Sequence, residues 1–364
     1  MVTKCHMCYE KLGAREIPAC VQACPAGAIE IEVVNKDEWI RYKIAKEGVA
    51  PNMPDINITK PTTRYTQNEE TAAARPADGR FMRGGHSEMP LVFMTVLTQL
   101  SFGAFVAIFI GFLLSFVGLK PATMDALTTI FALAPAAVGL SLSALHLGRP
   151  ILAYRAFKNQ KTSWLSREAL YLGAYAALLS VVCGMYFLEF SQFIVFFVSV
   201  ATLFAGGYGI YAQSMIYRVP ARPSWNRVTT TYRFFGTGYV GFLLIATVLF
   251  AKGFFASGVS VLSVATLASF FQLRLVYDEY LFFTLLSGEQ PNFSTLAKTK
   301  ELLENRFATL KNIRIAGLLI FGVIMPLGAM VLINSEIYFY GMLLCALCVV
   351  FSFVSEILGR YLLS

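Results

Sequence analysis

Residues 91–117 read LVFMTVLTQLSFGAFVAIFIGFLLSFV, an apolar run without one charged side chain. A helix rises about 1.5 Å per residue, so a run of this length crosses the roughly 30 Å of hydrocarbon in a bilayer. Working outward from it, comparable runs recur near 124–147, 168–188, 193–216, 236–252, 259–286, 313–333 and 337–359. The expected fold is therefore mainly α, a polytopic membrane bundle of eight transmembrane helices. Composition agrees with this. Of 364 residues, 56% are hydrophobic and 14% charged, and mean hydropathy is +0.60, far more apolar surface than a soluble domain needs to bury.

Polarity is concentrated at the amino-terminal end. Up to about Glu88 the sequence is polar, charged and turn-rich, and Pro51, Pro54, Pro61 and Pro76 punctuate a stretch from Ile31 to His86 that shows neither helical nor alternating periodicity. That stretch is expected to be a docking tail and linker. The first residues carry cysteines and charges where a secretory signal would carry an apolar run, so this part is expected to have no export signal of its own. The expected division is 1–60 as a small cysteine-bearing domain, 61–87 as linker and 88–364 as the membrane domain.

The net charge of +8 falls in alternate loops, so it is read as membrane topology and no nucleic-acid partner is expected. Loop 148–167 carries Arg149, Arg155, Lys158, Lys161 and Arg167. Loop 217–235 carries Arg218, Arg222, Arg227 and Arg233, and loop 287–312 carries Lys298, Lys300, Arg306 and Lys311. The opposite loops hold little beyond Lys120 and Lys252. The positive-inside rule places the basic face and the amino-terminal part in the cytoplasm, with the bundle in the inner membrane. A partner exported by its own signal would invert that assignment.

Ionisable groups at lipid depth are costly unless they are paired or face a cavity. Arg274 and Asp278 stand four apart in the sixth run with Glu279 beside them, read either as an ion pair that holds the bundle or as an ion pathway. His146 closes the second run in Leu145-His146-Leu147-Gly148-Arg149-Pro150, and Glu168 opens the third at the same face. An imidazole, a carboxylate and a guanidinium at headgroup level suit a quinol, whose oxidation releases two protons with two electrons.

Seven cysteines divide into two groups. Cys183, Cys345 and Cys348 lie in apolar runs and are read as packing. Cys5-x2-Cys8-x11-Cys20-x3-Cys24-Pro25 is a ligand motif of thiolates. A run ending in C-x3-C-P is how ferredoxin-like folds hold [4Fe-4S] clusters, and tetrahedral zinc is the competing reading. In two-cluster ferredoxins the last cysteine of a motif serves the other cluster, so Cys5, Cys8 and Cys20 need a fourth thiolate from a second motif. Three explanations stand open: sequence upstream of this one, a separate polypeptide that supplies the other half, or one cluster bound by all four. The segment is thus expected to be a small, incomplete ferredoxin-like iron–sulfur segment.

Lys4-Cys5-His6-Met7-Cys8-Tyr9-Glu10 and Pro18-Ala19-Cys20-Val21-Gln22-Ala23-Cys24-Pro25-Ala26-Gly27-Ala28-Ile29 resemble the last cluster motif of the electron-transfer subunits that serve molybdopterin oxidoreductases of the dimethyl sulfoxide reductase type. Ala50-Pro51-Asn52-Met53-Pro54-Asp55 is similar to the tail of those subunits. From Glu88-Met89-Pro90-Leu91 onward, through Leu145-His146-Leu147-Gly148, Leu165-Ser166-Arg167-Glu168 and Tyr217-Arg218-Val219-Pro220, the sequence resembles their membrane anchor subunit. The whole looks like the end of one subunit fused to the next.

This resemblance implies a non-catalytic subunit of anaerobic respiration that oxidises menaquinol or a related quinol at a site including His146 and Glu168. It further implies that electrons pass through [4Fe-4S] clusters to a molybdopterin cofactor in a separate catalytic subunit. Arg149 is read as a polar contact to the quinone head or to that partner. The alternative from a different class is a secondary transporter or ion-translocating subunit that uses Arg274, Asp278 and Glu279.

Overall fold

The computed structural model describes residues 8–24, 28–44, 60, 62–64, 89–116, 125–145, 154, 156–157, 159–219, 224–286, 300 and 302–362. The protein divides into two compact units, Met1–Gly79 and Arg80–Ser364. In the first unit, short helices span Tyr9–Gly13, Ala19–Gln22 and Lys36–Glu38, the last running on into a π-helical turn at Trp39–Ile44. Asn35 caps that last helix by accepting the Asp37 amide at 3.1 Å. Neither unit contains a strand among the described residues.

Among its described residues the second unit holds eight helices long and apolar enough to cross a membrane: Met89–Leu114, Ala126–Ala144, Trp164–Phe187, Gln192–Tyr217, Val228–Ala251, Phe255–Leu281, Ala308–Asn334 and Tyr338–Tyr361. Lipid offers no partner for backbone polar groups, so each crossing closes its hydrogen bonds within its own helix. The first and fifth spans form the centre, since 67% of the residues in their most apolar stretches are buried against 22–39% for the others. The second and fourth spans pack on the first, and the sixth and eighth pack on the fifth. The third bridges the second and fourth, and the seventh bridges the sixth and eighth.

Small residues make the central contact possible. A Cβ added at Gly103 would strike the backbone of Gly238, and one at Gly241 would strike the Leu100 carbonyl and the Ala104 amide. The two spans therefore meet backbone to backbone, the close approach that small residues permit in membranes. The fifth span is broken there: a short helix Val228–Gly236 is joined through Thr237 and Gly238 to Tyr239–Ala251.

Several span boundaries differ from the sequence reading. The third, fifth and seventh begin earlier than expected, at Trp164, Val228 and Ala308, and the eighth ends later, at Tyr361. An apolar-run criterion stops at arginine, and two of these extensions carry Arg233 and Arg360, both buried. Arg233, expected in a basic loop, lies inside the bundle. Cys345 and Cys348 belong to the apolar core, as expected of packing residues.

Three turns on the opposite face share one design. Phe190, Phe254 and Ile337 each donate their amide to the carbonyl five residues back, on Met185, Leu249 and Leu332, at 2.9–3.0 Å. The residue before each is left-handed: Glu189 at φ 53°, Gly253 at 80° and Glu336 at 62°. These are Schellman endings, which favour glycine at that position. Beside the second of them, Lys252 pairs with Asp125 at the start of the second span. Burial pushes the Asp125 carboxyl up, but the Lys252 ammonium together with the amide and hydroxyl of Thr128 outweighs it and holds the group below its ordinary value.

Three outcomes are expected. Gly241→Val separates the central spans, so the purified protein loses its single folded peak in detergent size exclusion. Glu336→Gly relieves a left-handed glutamate and raises unfolding stability by about 1 kcal/mol, read by denaturant titration in detergent. Because the Asp125 carboxyl is lowered on folding, the stability it adds is complete above its ordinary pKa of 3.8 and is lost as the pH falls further. Lys252→Met therefore flattens the acid limb of a melting-temperature profile.

Candidate functional site

The third span begins with a cap. Ser163 accepts the Ser166 amide at 3.2 Å, which places Glu168 one turn inside the helix instead of at its first residue. Arg167, next to it, turns away: it donates to the Gln160 carbonyl at 2.8 Å and to the Lys161 carbonyl at 2.7 Å. Its guanidinium also lies over the Trp164 ring. Glu168 itself is 5% exposed, a carboxylate inside the bundle close to the face where the third span begins.

Its partner comes from the fourth span. Gln213 donates from Nε2 to Glu168 Oε1 at 2.9 Å, and no other hydrogen bond reaches Glu168 among the described residues. The same amide nitrogen lies 3.4 Å from Thr98 Oγ1 and 3.5 Å from Met94 Sδ on the first span. Gln213 Oε1 accepts from Gln99 Nε2 at 2.7 Å, and Gln99 Oε1 accepts from Arg360 Nη2 at 2.7 Å. Four helices are thereby connected by buried side chains at one level of the bundle.

Beyond Arg360 the polar interior continues. Its Nη2 stands 3.4 Å from Thr237 Oγ1, and its guanidinium stacks over the Phe234 ring at 3.6 Å from the centroid. The Thr237 hydroxyl is 3.0 Å from Glu356 Oε2, and Gln272 donates to both oxygens of Glu356 at 3.3 Å. Arg314 approaches Glu356 at 3.9 Å, and its guanidinium lies so close over Gly359 that a Cβ there would overlap it. Arg233 and Glu279 form a second buried pair.

Of the residues expected at a quinol site, the structure describes Glu168 alone. His146 and Arg149 lie outside the described residues. The three residues of the alternative ion pathway do not form one group: Arg274 and Asp278 pair at 3.0 Å with side chains 62% and 36% exposed, while Glu279 turns inward to Arg233. Sequence reasoning missed Gln99, Gln213, Arg233, Arg314, Glu356 and Arg360. One signal was available, since Glu356 and Arg360 stand four apart in the last apolar run, where unpaired charge is costly.

In the amino-terminal unit, Cys8, Cys20 and Cys24 form no disulfide, and Cys5 lies outside the described residues. Among the described residues no three His, Cys, Asp or Glu side chains gather as a metal site. The donor chemistry suits a thiolate-held cluster nonetheless: Cys24 Sγ accepts the Ala28 amide at 3.3 Å, an amide-to-sulfur bond of the kind that tunes iron–sulfur centres.

The model of the family described as DMSO reductase anchor subunit (DmsC) matches residues 82–363. The protein is 26% identical over 282 residues to the C component of the anaerobic dimethyl sulfoxide reductase of Haemophilus influenzae, a match spanning 72% of its own length and 96% of that relative. It is also 34% identical over 110 residues to the C component of the sulfite dehydrogenase of Allochromatium vinosum, across 29% of its own length and 34% of that relative.

The Arg233–Glu279 pair gives this site a stability test. Glu279→Gln leaves a buried arginine without its counter-charge and is expected to cost about 3–5 kcal/mol in detergent unfolding. The double exchange Arg233→Met with Glu279→Leu is expected to recover most of that loss.

Proposed function

Since this protein belongs to the DMSO reductase anchor subunit family, we propose that it anchors a molybdenum-containing oxidoreductase in the membrane and oxidises a quinol there. The observation that carries the proposal is the Glu168 carboxylate: inside the bundle, with Oε1 committed to Gln213 and Oε2 free of any hydrogen bond from the described residues. A lone carboxylate at lipid depth is a functional site by default, because a purely structural one would be fully paired.

Oxidation of the quinol to quinone releases two electrons and two protons. In this reading Glu168 Oε2 accepts one hydroxyl proton and the imidazole of His146, at the end of the second span, accepts the other. Arg149 orients the quinone oxygen. Menaquinol fits this role as well as related quinols, since only the hydroquinone head meets the polar groups.

The electrons leave toward the amino-terminal segment, where Cys5, Cys8 and Cys20 would hold a [4Fe-4S] cluster with a thiolate from a second motif, and Cys24 would serve a neighbouring cluster. When bound, such a cluster supplies one-electron transfer. The partners in this reading are an iron–sulfur subunit or upstream ferredoxin half, and a molybdopterin catalytic subunit that holds the terminal site. The segment before the first span is then the end of an electron-transfer subunit fused to its anchor. By the positive-inside rule the basic face lies in the cytoplasm and the bundle in the inner membrane.

Glu168→Gln keeps the hydrogen bond from Gln213 but removes the proton acceptor. It is expected to lower quinol-dependent reduction about 100-fold or more in membranes that hold normal amounts of the complex. Unchanged quinol oxidation in that variant would overturn the assignment.

A further inference from the structure

Among the described residues, the buried charged side chains are Glu168, Arg233, Glu279, Arg314, Glu356 and Arg360. Three are cations and three are anions. Arg233 has Glu279 and Arg314 has Glu356. Arg360 and Glu168 remain, on the eighth and third spans, and the series Arg360–Gln99–Gln213–Glu168 joins them.

The direction of that series is fixed by its cationic end. A guanidinium only donates, so Gln99 must turn its oxygen to Arg360 and its nitrogen to Gln213. Gln213 must then turn its oxygen to Gln99 and its nitrogen to Glu168. Every dipole points the same way, from cation to anion. In a low-dielectric interior such an alignment strengthens each of its members. Side-chain amides neither gain nor lose a proton at ordinary pH, so the series carries polarisation and not protons.

We propose that Arg360 is a positioning residue for the quinol proton acceptor, acting through Gln99 and Gln213 as the remote counter-charge of Glu168. The inference rests on the reading of Glu168 given above. The relay favours the charged form of the acid, and it occupies Oε1 so that the proton is received at Oε2. Two nitrogens of Arg360, Nε and Nη1, are buried without a hydrogen-bond partner among the described residues. Its best acceptors are therefore Gln99 and the more distant Thr237.

Apart from His146 and Arg149 of the proposed quinol site, few charges among the described residues can set the behaviour of Glu168. The first and second spans carry no titratable residue over Met89–Phe116 and Ala126–Leu145. Tyr217 on the fourth span lies within electrostatic reach of both Glu168 and Arg360. Arg167, on Glu168's own helix, is turned to loop carbonyls. Glu356, Arg233 and Arg314 also lie within electrostatic reach of Arg360.

The test is quinol-dependent reduction as a function of pH by the complete membrane complex, with Gln99→Met, Gln213→Met, Arg360→Gln and Arg360→Lys. Without the relay the carboxylate holds its proton to higher pH. The acid-side midpoint of the rate is expected to rise by about one unit in the first three, a tenfold change in proton affinity, with the rate recovered at alkaline pH. Arg360→Lys is expected to restore part of the shift. The near-isosteric glutamine exchanges carry the test if the Arg360 variants do not assemble. An unmoved midpoint, or a uniform loss at every pH, would overturn the relay. Full quinol oxidation by Glu168→Gln would instead remove the reading beneath it.

Discussion

The first and fifth spans meet through their backbones at Gly103, Gly238 and Gly241, without intervening side chains. This contact places Gln99, one turn before Gly103, and Thr237, at the break of the fifth span, within reach of a single guanidinium, that of Arg360. A larger residue at the glycines would move the two halves of the bundle apart. The polar interior would then lose the residue that joins its two sides. Association of helices in lipid depends on such close packing, because the apolar side chains gain little by leaving lipid tails for one another.

Around that contact, six buried charges stand among the described residues, three cations and three anions. Two arginine–glutamate pairs lie among the fifth to eighth spans, which locks four helices in register. Breaking such a pair is costly even where forming it gains little, so these pairs specify the arrangement more than they stabilise it. The third balance is indirect and spans the whole bundle. It leaves Glu168 near the face where the second span ends and the third begins, with one oxygen held and the other available. The buried polar interior and the singly bonded Glu168 carboxylate are thus two ends of one construction.

The eight spans were legible in the sequence because lipid imposes a length and a polarity that few other environments demand. The burial of Glu168 was less legible, since its place at the edge of an apolar run does not fix whether the carboxylate turns inward. The rest was hidden by the same criterion. The fifth and eighth runs stop short of Arg233 and Arg360, although each continues its helix inside the protein and is buried. Gln99 and Gln213 were not legible, since a neutral amide in an apolar run acquires meaning only from partners on other spans. The tight turns at Glu189 and Glu336 carry glutamate where glycine would announce them. The outward placement of Arg274 and Asp278, against the inward placement of Glu279, depends on helix rotation that local spacing does not fix.

In the proposed function, Glu168 receives a proton from quinol inside the membrane. Infrared difference spectroscopy of the complete complex, with glutamate carbon-13 labelled at its δ-carboxyl, reads this directly. Adding quinol is expected to produce a protonated carboxyl band that shifts with the label and is absent from Glu168→Gln. A band that persists in the variant, or a carboxylate that stays ionised through turnover, would contradict it.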